Sequence, residues 1–474
     1  MKWKTTLALM LATIGIGAFI SLYEIRQPSP EERERHSRVL VSIPSESVSQ
    51  IELHTPSVTV SLSRDGTRWR LGPQRLRANE ELIGQLLNET ASLTAQRIFP
   101  ASPEKPLDLK AFGLDPAVAR LTLTADGTAT TRLLGETTPV HNNRYVKRAD
   151  RPQVAVIAPT LFVVINHPAE EFRDPLLIRF DTWMTDSLTI TSPARALTVA
   201  HSGMDWRLIS PLNDRADRTE VMNLLNSVSG LRIARVLEET PQVEQLSTWG
   251  LDAPKAEVTL TLRDEQAASP TVFFGKPLPE DSSLVYAKRS DEPALYAVSA
   301  TAVDALLQDP NGLRAKACLE FFTSEVTKIE VLQGTTGWTI ERKDGVWNSV
   351  SDTKLTALDT ARVEGFLNAV ADLRLTGFVD EHPQDLARYG LEPPAGTISV
   401  WTTNPEKPQR LLVGTTIEGS TNRYGRMEGR EAVVSLPGTI TGLLQTSLDQ
   451  FRPPAAAASP QPPSASPPTP PANK

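Results

Sequence analysis

The sequence predicts an α+β protein, with an amino-terminal transmembrane helix followed by three repeated modules. Each module is expected to be a mostly antiparallel sheet with one or two packed helices. Three observations predict this: one apolar segment without charges near the amino terminus, a set of landmarks that recurs three times, and short stretches that alternate apolar and polar residues. Such alternation is typical of strands with one buried face, as in antiparallel sheets. The length of 474 residues suits about three domains.

The amino-terminal segment Thr5–Tyr23 carries no charged residue. At 1.5 Å per residue, a helix of this length spans a hydrocarbon core of about 30 Å. We therefore interpret residues 1–24 as a transmembrane signal anchor. A cleaved signal peptide is the alternative, but its apolar core is usually shorter, and here the apolar run continues past Gly15 and Gly17.

The charges around this segment do not by themselves decide its orientation. Lys2 and Lys4 precede it, whereas four arginines follow it within the predicted stalk, residues 25–38. Because the segment looks like a signal anchor before a large exported body, we expect a single-pass protein of the bacterial inner membrane. The bulk of the chain is then periplasmic or extracytoplasmic.

Internal repetition is the most informative feature of the chain. Asn79, Asp217 and Asp359 each precede a helical pattern, and they lie 138 and 142 residues apart. Asn and Asp are preferred at helix N-caps because their side chains accept hydrogen bonds from free backbone N–H groups. A domain-sized period allows each copy its own core.

Other sequence features recur at similar distances from these helices. A Gly-Leu-acid element follows each helix, beginning at Gly113, Gly250 and Gly390, where we expect a turn that needs positive φ. The repeats divide the chain into module 1 (39–178), module 2 (179–319), module 3 (320–452) and a tail (453–474). The tail has nine prolines, a composition that predicts disorder.

Within a module the predicted order is strands, helix, strands, helix. A closing helix is expected near residues 161–172. The strands expected from alternation or from an apolar run are 58–62, 121–123, 154–157, 258–262 and 338–341.

The modules resemble the family known as domain of unknown function 4340. The resemblance rests on Gly113-Leu114-Asp115-Pro116, Leu134-Gly135, Arg144-Tyr145-Val146 and Glu171-Phe172-Arg173-Asp174. It extends over most of residues 39–452, although the third copy departs from it. The resemblance implies an accessory envelope subunit, since members tend to be encoded beside ABC-transporter genes of the gliding-motility type. It supplies no catalytic residues.

No pattern in the sequence predicts catalysis, a cofactor or a metal. The six histidines form no H-E-x-x-H or H-x-H motif, and no phosphate loop or nucleophile elbow is present. The net charge is −7, without a long basic run, which argues against nucleic acid as a partner. The single cysteine, Cys318, is expected to be a buried structural thiol.

One recurring pair is a candidate partner-binding feature. A tyrosine is followed two positions later by a base, and residues two apart on a strand share a face. Three such faces suit an acidic partner or a glycan, although packing of the tyrosine beside an exposed base also explains them. The candidate residues are Tyr145, Lys147, Tyr286, Lys288, Tyr424 and Arg426.

Three functional hypotheses follow from the sequence. The first is a non-catalytic, membrane-anchored accessory or partner-binding subunit associated with an ABC transporter. The second is a cell-wall or polysaccharide-binding array, in which repetition raises avidity. The third is a cryptic hydrolase built on acid pairs such as Glu170-Glu171.

Overall fold

The computed structural model describes residue 40 and residues 43–101, 106–263, 271–307, 309–352, 357–403 and 407–453. The predicted anchor, the stalk and all of the tail except Pro453 lie outside these residues. No helix among the described residues is long and apolar enough to cross a membrane.

Module 1 has nine strands that pair in the order β4-β3-β2-β1-β6-β7-β8-β9-β5. Its strands are β1 Val48–His54, β2 Thr59–Asp65, β3 Arg68–Leu71, β4 Leu76–Arg77, β5 Arg97–Phe99, β6 Ala119–Ala125, β7 Thr128–Thr137, β8 Arg144–Arg148 and β9 Val154–Ile157. Its helices are α1 Glu80–Ala91 and α2 Thr160–Ile165.

Module 2 contains a run of strands in the order β11-β10-β15-β16-β17-β18-β14 and a β12–β13 hairpin. Its strands are β10 Thr185–Ser192, β11 Arg195–Ser202, β12 Asp205–Ser210, β13 Asp214–Arg215, β14 Ile233–Glu238, β15 Ala256–Leu262, β16 Thr271–Leu278, β17 Asp281–Arg289 and β18 Leu295–Ser299. Its helices are α3 Arg218–Ser229, the short α4 Leu246–Trp249 and α5 Ala300–Leu306.

Module 3 has eight strands in the order β21-β20-β19-β23-β24-β25-β26-β22. Its strands are β19 Val326–Gln333, β20 Thr336–Lys343, β21 Val346–Ser349, β22 Gly377–Asp380, β23 Gly396–Thr402, β24 Gln409–Thr416, β25 Arg423–Met427 and β26 Val433–Leu436. Its helices are α6 Thr360–Ala371 and α7 Ile440–Leu444.

The three antiparallel sheets confirm the α+β class and the repeated modules. Each predicted strand overlaps an observed one, and 154–157 coincides with β9. A closing helix is found where the sequence predicts one, but it is shorter than residues 161–172, because α2 ends at Ile165 and a separate 3-10 turn, Ala169–Phe172, follows it. Pro168 lies between them, and proline lacks the N–H that helix continuation requires and disfavours helical backbone before it.

The predicted helix starts are confirmed at two positions where the cap contacts are seen. The Asn79 side chain accepts from the Leu82 N–H at 3.2 Å, and the Asp359 side chain accepts from the Arg362 N–H at 3.2 Å. Helix α3 begins directly after Asp217. An amphipathic face then packs each helix against its sheet.

The glycines of the Gly-Leu-acid element have a partner glycine on the following hairpin. Gly113, Gly250 and Gly390 have φ of +63°, +69° and +65°, as the sequence predicts. In module 1 the second glycine is Gly135, where an added Cβ would overlap the carbonyl oxygen of Phe112. The corresponding glycines, Gly275 and Gly414, face the same obstruction. The element therefore packs backbone against backbone in all three modules.

We expect Gly135→Ala to destabilise the protein by about 1–3 kcal/mol, because the new methyl group overpacks a backbone contact. Gly84→Ala is the matched control. No atom lies within 4 Å of its added Cβ in α1, and alanine favours a helix over glycine by about 1 kcal/mol. Chemical denaturation of both variants measures the difference; equal stability of the two would contradict this account of the paired glycines.

By internal packing the described residues form two compact units. The first comprises those within Met1–His201, Ile209–Pro211 and Thr219–Pro310. The second comprises those within Ser202–Leu208, Leu212–Arg218 and Asn311–Lys474. Module 1 and most of module 2 thus belong to the first unit, and module 3 to the second.

Candidate functional site: a charged groove in the first unit

The first unit contains a groove of about 1180 Å³. One side is formed by the end of module 1, from Asn166 to Pro175, together with β4. The other side is formed by β14 and the residues flanking it, Arg232–Glu239. The volume exceeds the range of about 300–1,000 Å³ that is usual for small-molecule sites, which favours a larger ligand.

Strand β14 gives the groove an open sheet edge. It is the last strand of its sheet and pairs with β18 on one side. On the other side the linker after module 1 reaches only its beginning: the Leu177 N–H donates to the Leu231 carbonyl at 2.8 Å, and the Ile233 N–H donates to the Pro175 carbonyl at 2.9 Å. Among the described residues, no second strand pairs with 234–238. Such an edge is a template for an added strand.

The groove walls carry both signs of charge. Six carboxylates and four guanidinium groups line it: Glu170, Glu171, Asp174, Glu238, Glu239, Glu292, Arg77, Arg173, Arg232 and Arg235. Arg173 and Glu239 form an ion pair across the groove. The lining therefore suits a polar peptide better than a purely apolar ligand.

A buried ion network forms the base of the groove. The Arg77 guanidinium donates to Asp174 at 3.0 Å and to Glu292 at 3.3 Å, so it joins module 1 to module 2. Arg289 lies 3.2 Å from the same Glu292 carboxylate, and the Tyr296 hydroxyl donates to it at 2.8 Å. Both carboxylates are buried, where a carboxylate without such partners would be costly.

The ionisation of Asp174 and Tyr296 reflects this network. Burial alone would raise the pKa of Asp174, but hydrogen bonds from Arg179 and the charge of Arg77 outweigh it and lower that pKa. Burial and the nearby Glu292 carboxylate raise the pKa of the Tyr296 hydroxyl, which therefore stays protonated and donates. At neutral pH, Asp174 is therefore ionised and Tyr296 is protonated.

The tyrosines predicted from sequence do not line this groove. Each packs against the aromatic residue directly before the Gly-Leu element. In module 1, the Tyr145 and Phe112 ring centroids are 4.8 Å apart. The equivalent pairs are Tyr286 with Trp249 at 6.2 Å and Tyr424 with Tyr389 at 5.0 Å.

The accompanying bases donate to carbonyls at or just beyond the ends of their own strands. Lys147 Nζ donates to the Arg148 and Ala149 carbonyls. Lys288 Nζ donates to the Glu292 carbonyl at 2.8 Å, and Arg426 Nε donates to the Arg430 carbonyl at 3.2 Å. Both members of each Tyr-x-basic pair therefore have a packing or turn-stabilising role.

Sequence reasoning missed the groove because its residues come from both modules and do not recur. Arg77 and Glu292 are 215 positions apart. Glu292 occupies the sixth position after the module tyrosine, and this position is Arg151 in module 1 and Arg430 in module 3. The change of charge at this one repeat position was the only feature of the sequence that could have indicated the contact between the modules.

A second buried ion cluster, in which Asp214 pairs with Arg314 and Arg430, lies in the second unit. No three His, Cys, Asp or Glu side chains in those ranges are grouped as potential metal ligands. Cys318 is buried, which raises its pKa to about 12. This placement agrees with the structural thiol expected from sequence.

The fold and groove define a protein of three repeated α+β modules, two of which are joined by a buried ion network. The family described as Domain of unknown function (DUF4340) matches residues 69–203, 206–381 and 347–458. The chain belongs to this family. No curated protein and no solved structure matches it.

Proposed function

We propose that the protein is a non-catalytic, membrane-anchored envelope protein that binds other proteins as an accessory subunit of an ABC-transporter assembly. Its first unit would bind an extended segment of a partner in the groove, adjacent to β14. The observation that carries this proposal is the free edge of β14 beside a long groove. Backbone hydrogen bonds to such an edge give affinity, and side-chain pockets give specificity.

The cellular setting in this proposal is supported by sequence alone. The uncharged Thr5–Tyr23 segment has the length of a membrane span. The transporter association is supported by the family resemblance, as an association between neighbouring genes.

The alternative, a cell-wall or polysaccharide-binding array, has less support. It relies on the Tyr-x-basic faces, whose tyrosines pack internally and whose bases donate to nearby backbone carbonyls. A glycan would have to compete with these contacts.

Affinity purification of the full-length protein from detergent-solubilised native membranes tests the proposal. We expect transporter permease and ATPase subunits to co-purify in stoichiometric amounts. Ala234→Arg, which places a long charged side chain on exposed β14 at the groove, should reduce their recovery at least tenfold. Ala129→Arg, at an exposed position of β7 outside the groove, is the matched control.

Two outcomes would contradict the proposal. A protein that purifies without partners would remove the accessory-subunit function. Equal partner recovery with Ala234→Arg and Ala129→Arg would remove the groove as the binding site. Binding of the full-length protein to purified cell wall would instead support the array.

A further inference from the structure

One repeat position marks where modules 2 and 3 each contact a segment that precedes them in the chain. The position lies six residues after the module tyrosine and three before the next strand, and it is Arg151, Glu292 or Arg430. In module 2, Glu292 accepts from Arg77 of the preceding module. In module 3, Arg430 donates to Asp214 at 2.8 Å, and both belong to the second unit.

The lead-in chain reaches the same corner in both later modules. The Arg289 guanidinium donates to the Leu177 carbonyl at 2.6 Å, and Arg430 donates to the Ala315 carbonyl at 2.8 Å. The lead-in is held by one repeated backbone bond: Leu177 N–H to Leu231 O in module 2 and Cys318 N–H to Leu373 O in module 3. This corner is therefore a docking position built into the module.

Module 1 has the same lead-in bond. The Leu40 N–H donates to the Leu93 carbonyl at 3.1 Å. Leu40 and Leu93 form part of the wall of a pocket of about 210 Å³ at this corner. The residues that precede Leu40 are thus the equivalents of the segments that dock on modules 2 and 3.

This pocket is strongly cationic. Arg132, Lys147, Arg148 and Arg151 line it, and Asp150 is paired with Arg148. The charge at position 151 has the same sign as Arg430, which meets a carboxylate. By this repeat equivalence, the corner of module 1 suits an acidic segment.

Arg132 reinforces this chemistry from inside the sheet. It stands three residues before Gly135, where modules 2 and 3 have the apolar residues Val272 and Leu411. Its side chain is only 1% exposed. Burial, with a further contribution from the charge of Arg148, lowers its pKa to about 10. An anion at the pocket would be attracted electrostatically to this group of cations.

We propose that the acidic residues Glu31, Glu32 and Glu34 of this chain bind in the cationic corner of module 1. Glu34 is six residues before Leu40, so an extended chain spans up to about 20 Å between them, enough to bring its carboxylate to the pocket. In module 1 the acidic segment would occupy the position that residues of the preceding module occupy in modules 2 and 3. This docking fixes module 1 against the chain that leads to the predicted span, whichever partner the groove binds.

Disulfide trapping in the full-length, detergent-solubilised protein tests this docking. Glu34→Cys is combined with Gln153→Cys, an exposed residue at the pocket wall. Gln85→Cys, on the exposed face of α1 and outside the pocket, is the matched control. Buried Cys318 has a raised pKa and does not compete. We expect an intrachain disulfide at position 153 at least fivefold more abundant than at position 85.

A charge variant separates docking from simple proximity. Arg151→Glu in the 34/153 background should reduce trapping several-fold, whereas Arg120→Glu, exposed and outside the pocket, should not. Equal trapping at 153 and 85, or no effect of Arg151→Glu, would overturn the proposal. Trapping only between chains would assign the pocket to a second copy instead.

Discussion

Asp214→Asn is expected to destabilise the second unit by about 3–5 kcal/mol, the usual cost of removing one partner from a buried ion pair. Asp214 accepts from Arg314 at 2.6 Å and from Arg430 at 2.8 Å, and all three residues are buried. The amide removes the negative charge and turns an N–H₂ group towards two guanidinium donors. Arg314 keeps Glu381 as a partner at 2.6 Å, whereas Arg430 loses its carboxylate.

The second unit supplies a matched control. Asp449→Asn removes an exposed ion pair with Arg452, for which we expect no more than about 1 kcal/mol. Chemical denaturation gives the total change. Hydrogen exchange of peptides from each unit assigns the change to the second unit. Equal stability of Asp214→Asn and Asp449→Asn would show that the cluster contributes little.

The pH dependence provides a second readout for the same variant. Burial raises the pKa of Asp214, but hydrogen bonds from Arg430 and Arg314 and the charge of Arg430 outweigh it, so the pKa lies below its usual value of 3.8. A lowered carboxyl pKa contributes stability that is complete above the unfolded value and is lost as pH falls through the folded value. The difference between wild type and Asp214→Asn should therefore shrink as pH falls below about 4.

The parts of the fold that the sequence predicts are those with local causes. An N-cap such as Asn79 acts on the N–H of Leu82, three residues away. The alternation of apolar residues depends only on which face of a strand is covered. These signals recur because each module packs the same kind of helix against the same kind of sheet.

The groove and its ion network depend on contacts that no local pattern contains. Arg77 meets Glu292 because two modules pack together, and the repeat equivalents of Glu292 are arginines. Repetition in the sequence identifies what the modules share. The contacts between modules depend instead on the positions where the modules differ. The recurring Tyr-x-basic pairs were therefore recognised as candidates from the sequence, whereas the sixth position after each tyrosine was not.

Glu292→Arg is expected to destabilise the first unit by at least 3–5 kcal/mol, although it installs the residue that module 3 has at the equivalent position. In module 3 that arginine meets Asp214. In module 2 it would meet Arg77 and Arg289, and the Tyr296 hydroxyl would lose its acceptor. Arg77, Arg289 and the new arginine would then share Asp174 and Asp291 as carboxylate partners, and partial burial makes this charge imbalance costly.

Two comparisons isolate the charge reversal. Glu292→Gln, which keeps the size and one acceptor, should cost less than Glu292→Arg. Glu244→Arg, at an exposed position of the same module, should change stability by no more than about 0.5 kcal/mol. Hydrogen exchange should show lost protection at 174–179 and 231–233, where the linker pairs with β14. If Glu292→Arg and Glu244→Arg had the same free energy of unfolding and the same hydrogen exchange, the charge at this repeat position would not decide which segment docks on a module. A large loss of stability confined to the first unit would show that the charge does decide it.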